Sequence, residues 1–313
     1  MIGLAAFTGC SSLTSAVLPE GVTSIAPALF SDCSRLESVT LPDSVTSIEN
    51  NAFSYCTNLK AITLPAGVKK INDSTFYGCE SLTDIVIPEG VTSIGYYAFA
   101  NSGLVNVMIP GSVTNIDWLA FDSTPWVAAR QEENPFVIVN GMLIDGTACE
   151  GNVIVPDGVE RIICNAFRKG PEGFSNISAV TIPRSVASIE ICLYGTAATE
   201  VTFLNSRIFI PEYFTAGSEI TTFVGYDGST AQAYAEEHGL TFISLGTEPE
   251  WLCGDVNSDD RFTVSDIVRL QKWLLAVPDT HLANWKAADL CENDKLDVFD
   301  LCMMKRALIS NGT

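Results

Sequence analysis

The sequence predicts a solenoid with a parallel sheet along one face and a period of about 23 residues, followed by a small all-α module of two calcium loop–helix units. Three observations lead there. Leu, Pro, Val, Ile and Phe recur every 23 residues from Phe7 to Phe121, with the last interval of each series shortened to 22. Oxygen-bearing side chains fall at calcium-loop spacing twice, 34 residues apart, near the C-terminus. The 313 residues are 47% apolar and only 17% charged, enough to bury a core and to form two domains.

The repeat is read column by column. Leu13, Leu36, Leu59, Leu82 and Leu104 open five units; Pro19, Pro42, Pro65, Pro88 and Pro110 follow. Val22, Val45, Val68, Val91 and Val113 come next, then Ile25, Ile48, Ile71, Ile94 and Ile116, and a Phe column ending at Phe121. One unit is too short to bury a core, but stacked units align identical residues into a continuous one. The alternating L-x-x-V-x-L segment predicts a short strand with Val and Leu inward, pairing in parallel with its equivalents. Pro closes each strand, and V-x-x-I-x-x-x-A-F turns back as the second wall.

The pattern loosens after Thr124. The segment from Pro125 predicts a short helix, then a hairpin across Asn140-Gly141. Units resume at Val153 and Val180, with Phe167 continuing the aromatic column. Shorter strands follow at Val201, Ile208 and Ile220. Ser229 or Thr230 caps a helix that Gly239 ends, and a strand over 240–245 closes the region. This closing element is expected to shield the end of the solenoid.

Cysteine and charge narrow the reading. Cys10, Cys33, Cys56 and Cys79 recur every 23 residues, which predicts a buried column of free thiols rather than disulfides. No C-x-x-C pair supports a zinc or redox motif. The net charge of -20 disfavours nucleic acid as a partner. Residues 1–247 hold 25 acids and 10 bases, and the rest hold 12 and 7. No apolar run is long enough to span a membrane, and the start lacks the pattern of a signal peptide. The chain opens midway through a repeat, as a mature or trimmed fragment would.

The L-x-x-V-x-L-P-x-x-V-x-x-I-x-x-x-A-F-x-x-C unit resembles the BspA-like leucine-rich repeat family of bacterial surface and secreted proteins. The resemblance covers residues 1–246 and implies a leucine-rich repeat solenoid that binds a protein or glycan. Outward strand positions are Thr40, Thr63, Val86, Met108, Ile154, Thr181 and Thr202. Val86, Met108 and Ile154 read either as an apolar ligand stripe or as scattered surface residues. Tyr96, Tyr97, Trp118 and Trp126 read either as an aromatic rim or as turn packing. The region carries no nucleophile elbow and no Cys/His pair, and neither His238 nor His281 reads as catalytic. The chain is therefore read as non-catalytic.

A short linker over 247–252 leads to the C-terminal module, 253–313. Asp255, Asn257, Asp259 and Asp266 occupy loop positions 1, 3, 5 and 12; Thr263 takes position 9 and the Arg261 carbonyl position 7. In the second loop Asp289, Asn293, Asp297 and Asp300 take positions 1, 5, 9 and 12, with the Lys295 carbonyl at 7. Cys291 at position 3 departs from the pattern and weakens that site. Hard oxygen donors predict two Ca2+ rather than zinc or copper. Asp260 and Asp294 at position 6 replace the usual Gly. Ile267, Leu270 and Leu274, then Leu301, Met304 and Leu308, predict an amphipathic helix after each loop, with a linking helix through Trp285.

Two such units, without the helix that precedes an EF-hand loop, resemble a type I dockerin, and the 273–291 stretch is similar to dockerins of Ruminococcus cellulosomes. The resemblance implies a secreted, cell-surface cellulosome component whose dockerin binds the cohesin of a scaffoldin, monomeric apart from that complex. The family's specificity positions map to Val264-Ser265 and Val298-Phe299. Leu270, Gln271, Lys272, Met304, Lys305 and Arg306 extend the expected contact surface. The runner-up is a fragment of a dockerin-bearing hydrolase or peptidase, with the repeats as an accessory or spacer.

Overall fold

A computed structural model describes residues 2–168, 175–248, 254–259, 261–278, 280–289 and 295–311. The chain divides into two compact units, Met1–Ala148 with Ile163–Ala166, and Cys149–Ile162 with Phe167–Thr313.

In the first unit each coil gives two short strands. Ser15–Val17, Ser38–Thr40 and Ala61–Ile62 pair in parallel, as do Asp84–Val86 and Asn106–Met108. Val39 faces Ile62 across a 23-residue interval, and Ile85 faces Val107 across 22. A second row runs through Ser24–Ile25 with Ser47–Ile48, and through Lys70–Ile71, Ser93–Ile94 and Asn115–Ile116. The wall expected to turn back is thus itself partly strand. Central residues such as Val39 and Ile85 are buried between exposed neighbours, as alternation requires.

The Phe column fills the core between these walls. Consecutive rings from Phe7 to Phe121 stack nearly parallel, with centroids 5.2–5.6 Å apart. The column ends on Trp126, whose ring centroid lies 4.8 Å from that of Phe121. Trp126 is buried, so it belongs to the core and not to a surface rim. It sits at the start of helix α1, Pro125–Glu133, where Thr124 accepts a hydrogen bond from the Val127 amide. The hairpin pairs Val137–Val139 with Met142–Asp145 across Asn140 and Gly141, both at positive φ.

The thiols line the same core. Cys33, Cys56 and Cys79 donate to the carbonyls of Phe7, Phe30 and Phe53 at 3.0, 3.1 and 3.2 Å. Cys10, Cys33, Cys56 and Cys79 are free thiols. Burial pushes the Cys56 thiol up to about 12 and that of Cys79 well above its ordinary value.

Two left-handed residues shape each turn of the first unit. Ala5, Ala28, Asn51, Ser74, Tyr97 and Leu119 form one such column, and Gly9, Asp32, Tyr55, Gly78, Asn101 and Ser123 the other. Most are not glycine, so composition gives no hint of them.

In the second unit Gly151–Ile154, Ile177–Ile182, Glu200–Phe203, Thr222–Gly225 and Thr241–Ser244 make one parallel sheet. Helix α2, Thr230–His238, starts at Ser229 and ends at Gly239 with φ +69. It connects the last two strands as a crossover packed on both. Thr241–Ser244 is the last strand in the order of its sheet. Phe167 is buried here. Of the outward strand positions, Thr40, Thr63, Val86, Met108 and Ile154 are exposed, and Thr181 and Thr202 half-buried.

Candidate functional site

The C-terminal loops use their oxygens to close on themselves. The Asp259 amide donates to Asp255 Oδ1 at 3.2 Å and to Asn257 Oδ1 at 3.1 Å, so positions 1, 3 and 5 converge on one turn. Asp259 in turn accepts from the Arg261 amide and from Asn257 Nδ2. Ser258, at position 4, adopts φ +58. Asp255, Asn257 and Asp266 are buried.

Asp266 ties the two ends of the loop together. Its Oδ1 accepts from the Val256 and Asn257 amides, and its Oδ2 from the Thr263 amide at 2.8 Å and the Thr263 hydroxyl at 3.2 Å. Thr263 and Asp266 thereby form a capping box at the start of α3, Val264–Leu274. The second unit repeats this: the Asp297 amide donates to Asp300 Oδ2 at 3.0 Å, at the start of α5, Val298–Asn311, and Asp300 is buried. Position 9 donates to position 12 in both loops.

The donor chemistry suits calcium. Asp255, Asn257 and Asp259 supply hard oxygens, and a carboxylate oxygen accepting an amide keeps a second lone pair for a cation. Among the described residues, however, no three His, Cys, Asp or Glu side chains stand together as a ready metal cage. The expected ligands Cys291 and Asn293 lie outside the described residues, as do Asp260 and Asp294. Asp289 is the C-cap of the short helix α4, Trp285–Ala288, and Lys295 is exposed. The predicted linking helix is only this one turn, because Asn284 accepts from the Ala287 amide and starts the helix there.

Helices α3 and α5 share a core of Val256, Ile267, Leu270, Leu282, Ala288, Leu301 and Met304. Leu270 and Met304, which the sequence reading placed on a contact surface, have 0% exposure. They stand on the inward stripe with Ile267 and Leu301, and offer nothing to a partner. Val264 and Val298 point out, with 64% and 59% exposed. Ser265, Gln271, Lys272, Lys305 and Arg306 are exposed as well. The Phe299 side chain is outside the described residues. Sequence reasoning missed Val268 and Cys302, exposed one turn beyond Val264 and Val298. Their 34-residue spacing was the available signal.

His281, which does not read as catalytic, faces Glu160. Its Nε2 lies 2.9 Å from Glu160 Oε1, at ion-pair distance but off the hydrogen-bond axis. The His281 contact holds the Glu160 carboxyl below its ordinary range. His238 stacks on Tyr234 at 3.9 Å inside the last turn of α2, a packing role.

A parallel β-solenoid followed by a small helical region supports a protein–protein interaction module. The chain belongs to the BspA type leucine rich repeat region family, whose model matches six copies over residues 1–126 and 147–231. Residues 253–309 match the dockerin type I domain. Both are characteristically non-catalytic interaction modules. No curated protein matches the chain. It is similar to a leucine rich repeat protein of T. pallidum, at 30% identity and a TM-score of 0.33, over 36% of this chain and 60% of that one. A leucine-rich repeat protein of Eubacterium ventriosum is 22% identical over 74% of this chain and 73% of its own, with a TM-score of 0.41. One from Bacteroides ovatus is 24% identical over 80% and 67%, with a TM-score of 0.40. The chain thus spans about three fifths of the length of the T. pallidum protein. Among the described residues no helix is long and apolar enough to cross a membrane.

Proposed function

We propose that this chain is a secreted, non-catalytic cellulosome component. Its C-terminal module docks in a calcium-dependent way onto the cohesin of a scaffoldin, and its repeats hold a protein or glycan. The observation that carries the reading is the duplicated loop–helix geometry under the dockerin match. In both units the position-9 amide donates to a buried position-12 carboxylate. Asp255, Asn257, Asp259, Asp266 and the Thr263 and Arg261 positions would hold one Ca2+. Asp289, Asn293, Asp297, Asp300 and the Lys295 carbonyl would hold the second, with Cys291 a poor donor. Bound calcium offsets repulsion among these acids and couples docking to folding of a module with little core.

The exposed pairs Val264-Val268 and Val298-Cys302 support a contact surface formed at the start of either helix. Residues 1–246 form the array in this reading, 247–252 the linker and 253–313 the dockerin. Calcium titration of the full chain by calorimetry tests the metal assignment. Two binding events of unequal affinity are expected, with helicity lost on chelation. Unchanged helicity in a chelator counts against it.

A further inference from the structure

One surface of the array is aromatic where its neighbours are small or polar. Tyr55 and Tyr77 meet edge to face at 5.1 Å, Tyr77 and Tyr97 at 5.7 Å, and Tyr97 lies 4.0 Å from Tyr96. Tyr96 continues to Trp118 at 5.7 Å. These five rings form one ladder across four coils, separate from the Phe column that fills the core. Tyr55 is 48% exposed and Tyr96 36%.

The backbone marks two of these rings as placed at a cost. Tyr55 has φ +57 and Tyr97 φ +54. A bulky side chain disfavours that region. Other coils use Gly9, Asp32, Gly78, Asn101 and Ser123 where Tyr55 stands, and Ala5, Ala28, Asn51, Ser74 and Leu119 where Tyr97 stands. Gly78 lets the Tyr55 ring lie on the next coil, since a Cβ there would stand 3.0 Å from the ring.

A polar, open groove of about 400 Å³ lies next to the backbone of Tyr96 and Trp118, lined by Lys70, Asn72, Asp73, Ser93, Asn115 and Asp117 among others but by none of the five rings. Asp73 joins the two features, because its Oδ1 accepts the Tyr96 amide at 3.0 Å. Aromatic faces beside mixed donors and acceptors match a sugar ring, which presents apolar C–H faces and a hydroxyl rim. The chain's net charge of -20, with two acids and one lysine in this part of the lining, disfavours a polyanion.

We propose that the tyrosine ladder and the adjoining groove bind a neutral, extended polysaccharide. This rests on the reading that the array holds a ligand, and adds its place and chemistry. The test is affinity electrophoresis of the full chain in gels containing galactomannan, xyloglucan or mixed-linkage β-glucan, with heparin as the anionic comparison. At least one neutral polymer should retard the chain, and heparin should not. The double variant Tyr96→Ala, Trp118→Ala should weaken binding by about tenfold or more. Tyr55→Gly removes a strained residue, so it should weaken binding without lowering the melting temperature. That result separates a binding role from a structural one. Equal retardation of wild type and variants overturns this site but leaves the array-ligand reading standing. No retardation of the wild type by any neutral polymer overturns the polysaccharide assignment, while a protein ligand for the array stays testable.

Discussion

Phe53 stacks on Phe76 with ring centroids 5.5 Å apart and planes inclined by only 3°. The two rings are 23 residues apart and both are fully buried. Their stacking is the repeat period expressed as packing, and it fixes where every other column falls.

Removing a central ring should therefore be costly. Phe76→Ala leaves a cavity between Phe53 and Phe99 and should destabilise the array by roughly 3–5 kcal/mol in denaturant unfolding. Phe7→Ala, at the half-exposed end of the column, should cost clearly less.

The thiol column predicts selective reactivity. Cys56 and Cys79 are buried with raised thiol pKa, so they should resist alkylation at pH 8 in the folded chain. Cys302 is exposed and should react. Mass mapping of alkylated peptides before and after unfolding checks this order.

Turn strain predicts a stabilising substitution. Ala28 holds φ +52 without being glycine. Ala28→Gly should raise stability by about 1 kcal/mol, read as a shift in the thermal midpoint.

The Glu160–His281 pair predicts a pH effect. The folded Glu160 carboxyl lies below its ordinary value of 4.5 because of the His281 contact. A lowered carboxylate contributes stability that is present above its unfolded value and lost as the pH falls through the folded one. Thermal midpoints of the wild type should show that loss below pH 4.5, and His281→Ala should remove this share of it. The effect should be small, since both side chains are partly exposed.

The module predicts two classes of variant. Leu270→Ala or Met304→Ala should unfold it, costing about 2–5 kcal/mol, and lose cohesin binding only through folding. Val264→Asp with Val298→Asp should leave helicity intact and weaken cohesin binding.

The periodic columns explain what could be read in advance. Side chains at Val39, Ile48 and Phe53 face inward because the coil repeats, so spacing alone locates them. The left-handed pairs such as Asn51 and Tyr55 were not legible, since no residue type is reserved for them across the coils. Leu270 was legible as a core residue from its stripe with Ile267. One side chain cannot serve both faces of the helix, and Leu270 is spent on the inner one. The Glu160–His281 pair joins residues far apart in sequence, and no local pattern announces it.

The proposed calcium-dependent docking of this chain onto a cohesin can be measured directly. Calorimetric titration of the full chain with a panel of cohesin modules, in calcium and again in excess chelator, tests it most directly. Saturable one-to-one binding to at least one cohesin is expected in calcium, and none in chelator. Binding of equal strength in both conditions, or no binding to any cohesin by a calcium-loaded folded chain, would contradict it.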